Sequence, residues 1–137
     1  MMLNLKTGRV PGYTEGQEPL IYLLSSCQLV EQAGISFVFS DGHGIAGFTQ
    51  WFDSLRHLDK VDWAVVGQRY WRDSVNDMDC MRRKQAEFLV YRFCPWQLIN
   101  KIVVIDELHK AQVEQVLAGF SADVRRVVEI RRDWYYW

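Results

Sequence analysis

The strongest constraint on the fold lies in residues 81–90, where a cluster of cations leads into an apolar run. Arg82, Arg83 and Lys84 come first, and Glu87 then opens the apolar segment 88–90. A carboxylate at the edge of a core is partly shielded from water, so its charge acts at short range with little screening. Cations directly before it suit an anionic ligand such as a phosphate backbone. The alternative is that the cations form a solvated edge and that Glu87 pairs with one of them, because isolated charge runs are usually surface features.

The periodicity of this stretch leaves both helix and strand open. Ala86, Leu89, Val90 and Phe93 have the spacing of one helix face, whereas residues 88–93 are equally suited to a strand buried on both faces. Residue spacing alone does not decide between the two.

Short apolar runs alternate irregularly with turn and cap signals along the rest of the chain. This pattern predicts an α+β fold in one domain that spans residues 1–137. Buried strands are predicted at residues 20–24, 35–39, 102–105 and 124–130. Helices are predicted at residues 48–58 from their apolar spacing, and after Ser26, Asp62, Pro95 and Asp106 from capping and turn signals.

Three further expectations concern helix faces and a loop. The helix after Asp62 is predicted to place Trp63, Val66 and Tyr70 on one face. The polar segment 73–79 has no periodicity and is predicted to be a mobile loop. The helix after Asp106 is expected to end near Gly119 and to bury Leu108, Ala111, Val116, Leu117 and Phe120.

Composition limits the classes of protein that remain. The net charge of −1 provides no overall basic field, so any nucleic-acid binding depends on a local patch. Six Trp, six Tyr and seven Phe fit either an aromatic-rich core or a surface on which bases stack. Cys27, Cys80 and Cys94 lack metal-type spacing, so we expect no metal and free thiols in a reducing compartment. There is no signal peptide and no apolar run of about 18 residues, which predicts a soluble cytoplasmic protein without a membrane span.

The glycine turn Asp41-Gly42-His43-Gly44 is a second candidate for function, because it could present Asp41 and His43 in a cleft. The alternative is an ordinary Asp-Gly turn. The sequence contains neither a glycine-rich phosphate loop before a Lys-Ser or Lys-Thr pair nor a Gly-x-Ser-x-Gly elbow. Two common enzyme signatures are therefore excluded.

Several segments of the chain occur together in the order seen in one known family. They are Phe39-Ser40-Asp41-Gly42-His43-Gly44, Asp62-Trp63, residues 82–90, Pro95-Trp96 and Trp134-Tyr135-Tyr136. With these segments the chain resembles the DarT family, the DNA ADP-ribosyltransferase toxins of DarTG toxin–antitoxin systems. The similarity covers essentially the whole chain from about Val10, and residues 85–90 are its most specific part. The resemblance implies an ADP-ribosyltransferase-like fold, a split mixed β-sheet flanked by helices, in which residues 81–90 form a strand.

The resemblance also implies a reaction in which NAD donates ADP-ribose to a base of single-stranded DNA, usually thymine. It assigns Glu87 as the catalytic glutamate. Cleavage of the bond between nicotinamide and ribose develops positive charge on the sugar, which a fixed carboxylate stabilises. The same carboxylate could help to deprotonate the attacking base nitrogen. His43, Arg82 and Arg83 are then expected on the DNA side of the site, and a DarG-like macrodomain antitoxin is the implied protein partner.

Two differences from the family pattern affect the expected site. DarT proteins carry an N-terminal segment, with a His and an Arg that hold NAD, ahead of the region that matches Met1, and they commonly read Asp-Arg where this chain has Asp79-Cys80. The residues that contact NAD are therefore not identified. Residues 1–137 are expected to be the C-terminal portion of such an enzyme, inactive alone and prone to self-association. The alternatives are an inactive remnant that binds DNA or the antitoxin, and a structural module without a ligand.

Overall fold

The computed structural model describes residues 10–69 and 72–136, which contain six short β-strands and four α-helices. None of the helices in these ranges is long and apolar enough to cross a membrane. Short 3-10 turns lie at Leu55–Lys60, Trp96–Leu98 and Arg132–Trp134. In chain order the elements are β1 (Tyr22–Leu24), α1 (Cys27–Gln32), β2 (Phe37–Ser40), β3 (Trp51–Phe52), α2 (Trp63–Val66), α3 (Cys80–Lys84), β4 (Phe88–Val90), β5 (Lys101–Val104), α4 (Glu107–Ala118) and β6 (Val127–Ile130).

The chain divides into two compact units, each with a three-stranded sheet of its own. The terminal unit combines the described residues up to Ser25 with those from Pro95 onward, and the central unit spans Ser26–Cys94. The mixture of short strands and helices confirms the predicted α+β class. That the whole chain acts as one domain stays a prediction.

The sheet of the terminal unit is mixed. Its strand order is β1-β5-β6, with β1 antiparallel to β5 and β6 parallel to β5. Parallel neighbours need a long crossover, which here contains α4. Helix and sheet share an apolar core of Ile102, Val104, Leu117 and Val128.

Helix α4 begins and ends as predicted but buries a different face. The Asp106 carboxylate accepts a hydrogen bond from the His109 backbone N–H at 3.0 Å, and Gly119 is the C-terminal capping residue. Val113 and Leu117 pack against the core, since residues four apart lie on one helix face. The prediction was wrong for the remaining positions, because the sheet covers only this narrow stripe and leaves Leu108, Ala111, Val116 and Phe120 exposed.

The sheet of the central unit is antiparallel throughout, in the order β3-β2-β4. Phe39 on β2 lies opposite Phe52 on one side and Phe88 on the other. The ring centroids of Phe39 and Phe52 are 5.4 Å apart, and those of Phe37 and Phe88 are 4.9 Å apart. These ring contacts agree with the aromatic-rich core, one of the two explanations given above for the many aromatic residues.

The helix predicted at residues 48–58 is absent from this part of the structure. Strand β3 and the turn Leu55–Lys60 occupy the segment instead. Apolar residues had helical spacing, but pairing of Trp51 with Ser40 and of Phe52 with Phe39 holds the chain extended. Cross-strand pairing therefore overrides a local helical pattern.

The stretch at residues 81–90 contains both elements that its periodicity left open. Helix α3 covers the cations and ends at Gln85, and β4 begins at Phe88. The resemblance made the whole stretch a strand, which is wrong for residues 81–87 and right for residues 88–90. Glu87 lies between the two elements, one residue before the strand.

The shorter helices confirm the predicted caps. Ser26 Oγ accepts from the Leu29 N–H at 3.3 Å, and an Asp62 carboxylate oxygen accepts from the Val65 N–H at 3.0 Å. The predicted face of α2 is wrong, because Val65 is buried whereas Trp63 is exposed. Tyr70, assigned to the same face, lies outside the described residues.

Candidate active site

The backbone of Glu87 is fixed by the end of strand β2. The Ser40 N–H donates to the Glu87 carbonyl at 2.9 Å, and the Glu87 N–H donates to Ser40 Oγ at 3.0 Å. Ser40 is fully buried, and its hydroxyl donates to the Gly42 carbonyl at 2.6 Å. One serine therefore links the glutamate to the first residues of the glycine turn.

The glycine turn places His43 beside the Glu87 carboxylate. The distance from His43 Nδ1 to Glu87 Oε1 is 3.7 Å, and the two side chains are 37% and 40% exposed. His43 Nδ1 itself is buried and has no hydrogen-bond partner among the described residues. The ring nitrogen and the carboxylate thus face each other at the edge of solvent, within a small shift of hydrogen-bond distance.

Gly44 brings the loop backbone against the same carboxylate. A Cβ at this position would lie 3.2 Å from Glu87 Oε2 and 2.8 Å from Trp51 Cζ2. Only glycine fits this approach without displacing a neighbour. Trp51 is 42% exposed, so an indole surface lies open next to the carboxylate.

Two further apolar side chains of the same loop are exposed. Ile45 is 87% exposed and Phe48 is 69% exposed. Together with Trp51 they give the surroundings of Glu87 an apolar, partly aromatic surface of the kind on which bases stack. Sequence reasoning did not select these residues for the site, and the high aromatic content was the one signal that pointed to Phe48 and Trp51.

The guanidinium of Arg82 lies beneath this loop. Its Nε and Nη2 donate to the two carboxylate oxygens of Asp79, both at 2.7 Å, and its Nη1 donates to Asp41 at 2.9 Å. The hydrogen bond from Arg82 holds the pKa of Asp79 below its usual value, and the same contact raises the pKa of Arg82. The Arg82 carbonyl accepts from the His43 N–H at 2.9 Å.

The other two cations of the cluster anchor α3 within the central unit. Arg83 pairs with Asp62 and Asp77. Lys84 donates to the carbonyls of Val66, the last residue of α2, and of Gln68, and burial lowers the pKa of Lys84. The solvated-edge alternative is therefore wrong.

Segment 73–79 forms no regular strand or helix, but its acidic side chains bind this helix. The Met81 N–H donates to an Asp73 carboxylate oxygen at 2.8 Å, in addition to the Arg pairs of Asp77 and Asp79. Its mobility stays a prediction.

The structure thus brings His43 and Glu87 together, and Arg82 contacts the loop that carries His43. Arg83 instead pairs with Asp62 at the start of α2 and with Asp77 in segment 73–79. The roles assigned to all four residues stay predictions. Among residues 10–69 and 72–136, no group of His, Cys, Asp and Glu side chains could hold a metal ion.

The profile of a family named "ssDNA thymidine ADP-ribosyltransferase, DarT" matches residues 1–136. The chain belongs to the DarT family. This match confirms the resemblance carried by the glycine turn and by residues 82–90.

Individual DarT relatives agree in sequence and in fold. The chain is 41% identical over 124 residues to the DNA ADP-ribosyl transferase of Thermus sp. strain 2.9, covering 90% of this chain and 58% of that protein. The structure matches Thermus sp. 2.9 DarT in complex with NAD+ at a TM-score of 0.91 and 38% identity, over 98% of this chain and 66% of that one. The complex with ADP-ribosylated ssDNA gives the same TM-score and identity over 98% and 63% of the two chains. The predicted ADP-ribosyltransferase-like fold is confirmed. The chain spans little more than half the length of the Thermus sp. strain 2.9 protein.

Proposed function

We propose that this chain carries the acceptor and glutamate part of an enzyme that transfers ADP-ribose from NAD to a thymine base in single-stranded DNA. The observation that carries the proposal is the position of Glu87, one residue before β4, with its carboxylate against the His43 ring and the Gly44 backbone. It is supported by Thermus sp. 2.9 DarT, a relative of the same fold that binds NAD+ and ADP-ribosylated ssDNA.

Glu87 is the catalytic residue of this proposal. The bond between the nicotinamide nitrogen and C1 of the ribose breaks, and its electron pair leaves with nicotinamide. A fixed carboxylate beside C1 stabilises the positive charge that develops on the sugar. The ring nitrogen of the base forms the new bond to C1, and its proton passes to Glu87 and then to solvent.

His43 and the exposed loop residues serve the acceptor. His43 lies 3.7 Å from the carboxylate, so a base within reach of Glu87 is also within reach of the imidazole. The indole of Trp51 offers a stacking surface at the same point. No metal is required by this mechanism.

Two wider aspects rest on the family alone. From the resemblance to DarTG toxin–antitoxin systems, we infer a DarG-like macrodomain antitoxin as the protein partner of this chain. Cys27 and Cys80 form no disulfide, which supports a cytoplasmic location.

The substitution Glu87→Gln tests the proposal. It keeps size and hydrogen bonding but removes the charge, so in a form of the protein that is active, modification of thymidine-containing DNA should fall by about 100-fold or more. Affinity for the DNA should change little. The exposed Glu114, changed to Gln in the same way, is the matched control and should leave the rate unchanged. A Glu87→Gln variant that folds normally and keeps its full rate would refute the catalytic assignment.

A further inference from the structure

We propose that Arg82 is a positioning residue, which holds the loop of residues 41–50 so that His43 and Gly44 lie against Glu87, and that its guanidinium does not contact DNA phosphate. The effect on turnover rests on the proposed function. The effect on the loop does not, because it concerns contacts within the central unit.

The first observation is that the guanidinium is already engaged. Its fork is bidentate to Asp79, at 2.7 Å for each contact, and its third nitrogen donates to Asp41 at 2.9 Å. The Arg82 side chain is only 12% exposed. A phosphate contact would require this charge-assisted pairing to break, and bidentate Arg–carboxylate pairs are among the strongest hydrogen-bonded contacts in proteins.

The second observation is that the contacts of Arg82 reach both ends of the loop. Asp41 directly follows β2, and the same carboxylate oxygen accepts from the Gln50 N–H at 2.9 Å. Thr49 Oγ1 lies 3.4 Å from Arg82 Nη1 and donates to the His43 carbonyl at 2.7 Å. The Phe48 ring centroid is 4.9 Å from the guanidinium carbon.

The third observation is that the turn itself rests on Arg82. The Arg82 carbonyl accepts from the His43 N–H at 2.9 Å. A Cβ on Gly42 would overlap Arg82 Nη1, so the backbone passes directly over the guanidinium. Gly42 and His43 are thus both in contact with Arg82.

The charge of Arg82 is needed as well as its shape. Asp41 and Asp79 are 20% and 37% exposed, and both pair with the same cation. Removing the cation would leave two partly shielded carboxylates facing each other, which is unfavourable. The loop would relieve this by moving away, and His43 and Gly44 would leave Glu87 with it.

Backbone amide exchange of the full chain tests the loop. In Arg82→Lys, which keeps the charge but loses the fork, and in Arg82→Gln, the His43 and Gln50 amides should exchange about ten-fold faster or more. The substitution Arg125→Gln is the control, since its guanidinium donates to the Ala118 and Phe120 carbonyls of the terminal unit, and it should leave these two amides unchanged. Because Asp41→Asn removes the other partner of the contact, it should have the same effect as Arg82→Gln. Unchanged exchange at His43 and Gln50 in both Arg82 variants would overturn the proposal.

The salt dependence of single-stranded DNA binding separates positioning from phosphate contact. A lost phosphate contact lowers the slope of log affinity against log salt by roughly 0.7. We expect Arg82→Gln to leave that slope unchanged and both Arg82→Gln and Asp41→Asn to reduce turnover. A slope lowered by about 0.7 in Arg82→Gln but kept in Arg82→Lys would show that Arg82 is a phosphate ligand. If wild-type protein gave no turnover, either alone or mixed with the part of the Thermus sp. 2.9 relative outside the matched region, the proposed function would fail while the exchange result still decided the role of Arg82.

Discussion

At the residue scale, the position of the Glu87 carboxylate depends on small neighbours. Buried Ser40 fixes the Glu87 backbone through two hydrogen bonds, and Gly44 allows the loop to approach Oε2. A residue with no side chain is thus as important to the site geometry as the charged groups. Displacing a reacting group by about 1 Å can cost about 100-fold in rate.

The substitution Gly44→Ala should therefore reduce DNA modification by about 100-fold, because the added methyl group must displace Trp51 or Glu87. The matched control is Gly47→Ala in the same loop, where an added Cβ would meet nothing within 4 Å. Rates of modification of a thymidine-containing oligonucleotide compare the two variants. Equal rates for Gly44→Ala and Gly47→Ala would contradict the close approach of this loop to the carboxylate.

At the element scale, local signals predicted helix caps well and buried faces poorly. Asp106 and Gly119 mark the limits of α4 because capping involves only neighbouring residues. The strand β3 was missed because its pairing with β2 is not a local property. Likewise the pairing of Arg82 with Asp41 joins residues 41 positions apart, so the local sequence around Arg82 did not reveal it.

Helix α4 offers a test of the observed packing against the predicted one. Leu117 is 8% exposed and belongs to the core with Ile102 and Val104, whereas the adjacent Val116 is 65% exposed. Leu117→Ala should lower the free energy of unfolding by about 2–5 kcal/mol, since it removes buried methyl groups and leaves a cavity. Val116→Ala should change it by no more than about 0.5 kcal/mol. Denaturant titration measures both free energies of unfolding. A loss in Val116→Ala as large as that in Leu117→Ala would favour the face predicted from the sequence, which buries both residues.

At the scale of the whole molecule, the candidate site lies within one unit. Glu87, His43, Gly44, Trp51 and Arg82 all belong to Ser26–Cys94. The proposed catalytic role of Glu87 came from family resemblance, because its position in the sequence alone fits an ordinary surface glutamate. Residue spacing could not show that His43 and Gly44 lie beside Glu87, since the antiparallel pairing of β2 with β4 brings the end of β2 to this residue.

The measurement that tests the central claim most directly is intact-mass analysis of single-stranded DNA after incubation with NAD and this chain. The chain is used alone and mixed with the part of the Thermus sp. 2.9 relative that lies outside their matched region. An oligonucleotide that contains thymidine should gain the mass of one ADP-ribosyl group in at least one of the two mixtures, and an otherwise identical oligonucleotide without thymidine should not. The adduct should be lost with Glu87→Gln. No adduct in either mixture, while the full-length Thermus protein modifies the same DNA, would contradict the account.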